Sequence, residues 1–225
     1  THIKSILVTG NISASIYPTT SSKQININSF GFRYNHQKKQ STFFDGININ
    51  VDNKVLTAPT LDYSTTDEIA FFPKSLTITE KNSTTTMTNA LLKINDSKII
   101  ATNNIKTIYQ KKSQPSDSEQ IKNLLKNQTE ITAQKISVDF SNDNDTIIQY
   151  NTNVLIAQPD KTLRSGQLTL NFKDDIYEVN EGTKLNFDSL QWSLKKNRTI
   201  KNKSIKEMLN KKTSIESQQA SFDPA

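Results

Sequence analysis

One short phrase recurs along the chain. An apolar residue, a polar one and a second apolar or small-then-aromatic partner close a strand-like stretch at Phe32-Arg33-Tyr34, Leu61-Asp62-Tyr63, Leu92-Lys93-Ile94, Val138-Asp139-Phe140, Leu170-Asn171-Phe172, Leu190-Gln191-Trp192 and Ala220-Ser221-Phe222. The last members are separated by 29, 31, 46, 32, 20 and 30 residues. Self-similarity at a step of this size signals supersecondary units that stack on one another. Within each unit the apolar residues alternate with polar ones. Leu61 and Tyr63 are followed by Leu76 and Ile78, Leu92 and Ile94 by Ile105, and Val138 and Phe140 by Val154 and Ile156. A period of two means strands with one buried and one wet face.

Turn chemistry separates the runs. "STTDE", "NDSK" and "SNDND" supply Asn, Asp and Ser, which tolerate unusual backbone angles. They have to, because the chain of 225 residues has only 5 glycines. Twelve or more short strands are therefore expected. They form an all-β fold of stacked two-strand repeats, curled into a flattened barrel or a jelly roll, in one domain over 1–225. The 46-residue step has a visible cause. Ser116 and Glu119 have capping-box spacing, and Ile121, Leu124 and Leu125 follow at helical spacing. A helical insert is expected at 113–128, with its helix over 117–127. Ser204 and Glu207 repeat the capping-box spacing before a second short helix at 205–211. The 20-residue step has no such explanation.

Hydrophobic residues make up 33% of the chain, so an inner face shared between curled strands is an economical core. That face is an apolar seam of Phe32, Tyr34, Phe44, Leu61, Tyr63, Phe72, Leu76, Ile78, Leu92, Ile94, Ile105, Phe140 and Val154. Closed tightly, the seam is a core; held apart, it is a trough for apolar ligands. Periodicity does not separate the two.

Charge is local. The formal net charge is +6, but the window 195–212, "KKNRTIKNKSIKEMLNKK", carries +7, leaving −1 elsewhere. Such a segment is either a solvated edge or a contact for an anionic partner. Nucleic acid is a poor fit, because no basic-aromatic ladder accompanies it. There are no cysteines, which excludes disulfides and thiolate chemistry. The two histidines, His2 and His36, lie far apart with no carboxylate cluster. No metal site, cofactor loop or catalytic triad is expected, and no enzyme activity. Asp143 and Asp145 read as a turn, as do Asp174 and Asp175. No apolar run is long enough for a membrane helix. The sequence starts at Thr1, so an upstream signal or anchoring segment is expected.

Residues 55–110, "VLTAPTLDYSTTDEIAFFPKSLTITEKNSTTTMTNALLKINDSKIIATNNIKTIYQ", resemble the OstA-like repeat of lipopolysaccharide-transport proteins of the LptA and LptC type. Thr57-Ala58, Asp62-Tyr63, Ile78, Asn89-Ala90 and Ile105 sit at the repeat's small, polar and apolar places. "EITAQKISVDF" at 130–140 and "TSIESQQASFD" at 213–223 resemble its opening half. "TKLNFDSLQWSL" at 183–194 is similar to the penultimate unit of LptC-type chains. The glycine before the second strand of a unit is present as Gly46, with Asn103 and Asn153 in its place elsewhere. The resemblance covers most of 24–223. It implies a periplasmic, twisted open β-jelly roll built of stacked two-strand repeats, open at both ends, whose trough carries the acyl chains of lipopolysaccharide or a similar glycolipid between inner and outer membranes. It also implies partners of the same build, joined by edge-to-edge strand addition, and self-association. The edges are expected at 24–34 and 213–223. The alternative reading is a surface-exposed β-solenoid serving as an adhesin or scaffold.

Overall fold

The computed structural model describes residues 5–17, 24–51, 54–110, 128–140, 146–159, 161–171, 176–187 and 213–222. Twelve strands run through them: β1 (Ser5–Ile16), β2 (Ile25–Asn35), β3 (Gln40–Val51), β4 (Lys54–Ser64), β5 (Ile69–Thr79), β6 (Ser83–Lys93), β7 (Lys98–Tyr109), β8 (Thr129–Asp139), β9 (Ile147–Gln158), β10 (Lys161–Asn171), β11 (Ile176–Phe187) and β12 (Thr213–Phe222). Each pairs antiparallel with the next, in one sheet whose spatial order is the chain order. The repeated phrases at 32–34, 61–63, 92–94, 138–140 and 220–222 mark the ends of β2, β4, β6, β8 and β12. The expected helices, the basic window and the phrase at 190–192 lie outside the described residues, save Gln128. β7 and β8 pair directly, with Tyr109 opposite Thr129, so the ladder runs unbroken from one strand to the next.

The strands are 10–12 residues long, about twice the usual length. Each is broken in the middle. Every one of the eleven strand pairs carries a register shift near its centre, as between Phe44 and Ile47 or Thr102 and Ile105. In the even strands the buried face skips phase there: Ala58 then Leu61, Met87 then Ala90, Ala133 then Ile136. In the odd strands the buried positions resume four residues on, as Phe43 then Ile47 and Ala101 then Ile105. The residues between are left-handed pairs: Asp45-Gly46, Asn103-Asn104, Thr152-Asn153 and Glu181-Gly182. Gly, Asn and Asp adopt that backbone most readily. β5 places Pro73 at the same point, where a missing ladder donor is harmless. Bulges bend a strand and raise its twist. A line of them across the sheet folds it into two facing leaves.

A single hydrogen bond demonstrates the fold. Tyr150 pairs with Ile136, and Ile136 with Ala101, so Tyr150 lies across the sheet from Ala101. Thr107 is six residues further along β7, or roughly 20 Å away in a flat sheet at the usual strand rise. Yet the Tyr150 hydroxyl donates to Thr107 Oγ1 at 2.8 Å. The contact requires the two halves of the strands to face one another. It also explains why Leu61, Phe72 and Leu76 are 0% exposed although no second sheet covers them among the described residues.

The hairpins on one margin share a plan. Residues 36–39, 65–68 and 94–97 form turns whose last member, Lys39, Glu68 or Ser97, has positive φ. Each of these carbonyls accepts from the next turn: Thr65 N–H to Lys39 O, Ile94 N–H to Glu68 O, Phe140 N–H to Ser97 O, at 3.0–3.3 Å. Polar turn residues thus stack in register with the repeat.

Two expectations are corrected. The N-terminal edge is β1, not 24–34, because residues 5–16 add a strand outside β2. Ile12, Ala14 and Ile16 pack on the core there, but the polar residues between them conceal the strand. Phe44 does not share the face of Phe43. Phe43 pairs with both Phe32 and Leu61 and is buried, whereas the Phe44 ring lies over Gly31 on the outer face, where a Cβ on that glycine would fall 2.0 Å from it. Alternation alone could not say which of two adjacent phenylalanines turns inward.

Candidate functional site: the space between the leaves

Along the roll, the leaves meet differently at the two ends. From β2 to β7 they touch. Leu61, Tyr63, Phe72, Leu76, Ile78, Leu92, Ile94 and Ile105 are buried, with Phe32 partly buried against them. Met87, Ala90 and Ile99 fill the spaces between. Phe140 and Val154, on the β8–β9 side, are buried too. Tyr34 is half-buried, its ring edge-on to His36 at 6.3 Å. Burial, and secondarily the charge of Glu68, raise the Tyr63 pKa from its ordinary 10.0.

From β7 to β11 the leaves part around a cavity of about 330 Å³. One leaf supplies Thr107, Ile131, Ile156 and Leu163, and the facing leaf Ile148, Tyr150, Leu168, Leu170 and Val179. Ser83, Tyr109, Thr129 and Gln158 line it at the strand ends, and Gln158 Nε2 donates to Thr129 Oγ1 at 2.7 Å. Among the described residues, no lining side chain is charged. The floor is buried aliphatic surface and the rim is half-buried and polar, with Ser83 Oγ donating to the Glu80 carboxylate at 3.4 Å. This size is at the lower end of natural ligand sites and about twice an engineered apolar cavity that admits benzene.

Tyr150 stands where the filled and open parts meet. It has 0% exposure. Its hydroxyl reaches Thr107, and Thr107 Oγ1 lies 3.0 Å from Thr85 Oγ1, so three hydroxyls link β9, β7 and β6 inside the apolar interior. Burial, with a lesser push from Glu80, raises the Tyr150 pKa to about 12. At neutral pH it is a neutral donor.

None of the thirteen residues expected to line a trough borders this cavity. The sequence signal was present at Ile131, Ile148, Ile156, Leu168 and Leu170, which alternate as the others do. Only the gap between leaves distinguishes them, and that depends on how far apart the two sides stand. Among the described residues no three His, Asp or Glu side chains stand close enough to hold a metal ion, and no helix is long and apolar enough to cross a membrane.

Comparison with solved structures gives a structural likeness. The chain resembles the crystal structure of LptH, the LptA homologous periplasmic component of the conserved lipopolysaccharide transport device from Pseudomonas aeruginosa, at 10% identity and a TM-score of 0.31, over 73% of this chain and 87% of that one. No family model matches the sequence. No curated protein matches it either.

Proposed function

We propose that this chain is a non-enzymatic periplasmic carrier for an amphipathic glycolipid, lipopolysaccharide or a similar molecule, which it helps to pass between the inner and outer membranes. The observation that carries the reading is the largely aliphatic cavity held open between two leaves of one unclosed sheet. A scaffold or adhesin has no use for an unfilled interior, whereas an acyl chain requires one. The sequence resemblance to LptA- and LptC-type repeats supports the same reading. In it, acyl chains enter at the cavity. The apolar interior then continues past Val154, Phe140, Ile105, Ile94, Leu92, Ile78, Leu76, Phe72, Tyr63 and Leu61 towards Phe32 and Tyr34.

Among the described residues β1 and β12 end the sheet, and their outer edges suit edge-to-edge addition of a partner roll or a second copy. Ile6, Leu7 and Val8 of β1 are exposed, which fits a junction at that edge.

Photo-crosslinking in cells tests the carrier reading. A crosslinker at Ile148 or Leu168 is expected to capture glycolipid, and one at the outward neighbours Gln149 or Thr169 is not. Equal capture at both sets, or none at either, overturns it.

A further inference from the structure

We propose that Tyr150 is a gate and chain-length stop: with its hydroxyl on Thr107, the cavity takes one unbranched acyl chain whose uncharged ester or hydroxyl head rests on the rim of Ser83, Thr129 and Gln158. The proposal rests on the carrier reading and specifies its ligand. Three observations carry it.

The first is position. Tyr150 and Thr107 both line the cavity, and their bond joins the leaves directly. On the far side, Ile99, Met87, Ala90 and Ile105 fill the interior. A chain advancing from the cavity towards β6 meets the tyrosine ring first. It cannot pass while the cross-leaf bond holds.

The second is chemistry. A buried hydroxyl pair inside an aliphatic interior costs free energy unless each member is bonded. Valine or phenylalanine would pack these sites without that requirement. The Tyr150–Thr107–Thr85 chain is a latch whose closed state is satisfied and whose open state leaves polar groups to find other partners.

The third is charge. Among the described residues that line the cavity none is charged. At the rim, Ser83 Oγ donates to the Glu80 carboxylate at 3.4 Å, and that carboxylate is paired with Lys54 Nζ at 3.3 Å. An anionic head drawn into this space would lose water and meet the Glu80 carboxylate beside Ser83. An ester or hydroxyl head can exchange hydrogen bonds with Gln158, Thr129 and Ser83.

The test is isothermal titration of the full chain with 1-monoacylglycerols of increasing length, alongside the matching fatty acid anions. Each methylene buried should tighten binding about fourfold until the chain meets the ring, after which affinity levels off. Tyr150→Leu, shown to be folded by a cooperative melt, should move that break point to longer chains. Tyr150→Phe keeps the ring and loses the latch; it should keep the break point but release a long chain several-fold faster. Release is measured by stopped-flow transfer to vesicles, and it decides the matter if the leucine variant does not fold.

An unmoved break point in folded Tyr150→Leu overturns the stop, and unchanged release in Tyr150→Phe overturns the latch. Anions binding as tightly as monoacylglycerols overturn the uncharged head. In each of these cases chains still bind, so the carrier reading survives. No length dependence in the unaltered protein brings down both.

Discussion

Thr107→Val should destabilise the protein more than Tyr150→Phe, and the two together should be less harmful than Thr107→Val alone. Tyr150→Phe removes one neutral hydrogen bond, but Thr107 keeps Thr85 at 3.0 Å. Its cost is therefore about 1 kcal/mol. Thr107→Val keeps the shape and removes the shared partner. It strands the Tyr150 hydroxyl in a site with 0% exposure and takes the Thr85 hydroxyl's partner as well. Each stranded group costs roughly 1–3 kcal/mol, so a loss of about 2–4 kcal/mol is expected. In the double variant the tyrosine hydroxyl no longer exists, and only Thr85 is left wanting. The double variant should recover about 1–2 kcal/mol relative to Thr107→Val, the mark of a coupled pair. Urea midpoints at unchanged m-value provide the measurement. Additivity within about 0.5 kcal/mol would show that the two side chains do not meet, and the folding of the sheet into facing leaves would lose its strongest support.

Four further outcomes follow from the same structure. Stability of the unaltered protein relative to Tyr150→Phe should be constant below pH 10.0 and fall between there and about 12, because the unfolded tyrosine releases its proton first. The loss amounts to roughly 2–3 kcal/mol by denaturation across that range. Thr152→Gly should stabilise by about 1 kcal/mol, read as a rise in melting temperature, since a β-branched residue is held there at φ 66°. Gly31→Ala should cost about 1–3 kcal/mol by collision with the Phe44 ring, and Phe44→Ala in the same chain should remove most of that penalty. Deleting 113–128 should leave the β-sheet circular dichroism largely intact, because Tyr109 and Thr129 already stand opposite one another; global unfolding would place the insert in the core.

The strand count and the one-faced burial were legible because alternation is a local property. A strand with Leu61 and Tyr63 on one side of Asp62 has a buried face whatever it packs against. The mid-strand bends were legible only as equivalent positions, which were expected just before a unit's second strand and lie instead inside β3, β7 and β9. Gly46, Asn103 and Asn153 stood out as equivalent positions, and all three have positive φ. These residues tolerate that conformation by themselves, without help from distant neighbours.

The cavity was not legible, for a physical reason. Tyr63 and Tyr150 occur in similar alternating runs. One lies along the filled part of the interior, and the other braces the two leaves beside open space. The difference comes from pairing between residues 43 apart, Tyr150 and Thr107, and from the facing side chains each strand half happens to meet. The choice of Phe43 over Phe44 has the same origin: both are local candidates, and cross-strand register with Phe32 and Leu61 selects one. Local chemistry thus determined that this chain makes long, bent, one-faced strands. Whether the space enclosed by their bent halves is filled or empty depends on non-local packing volume, and only the tertiary structure decided it.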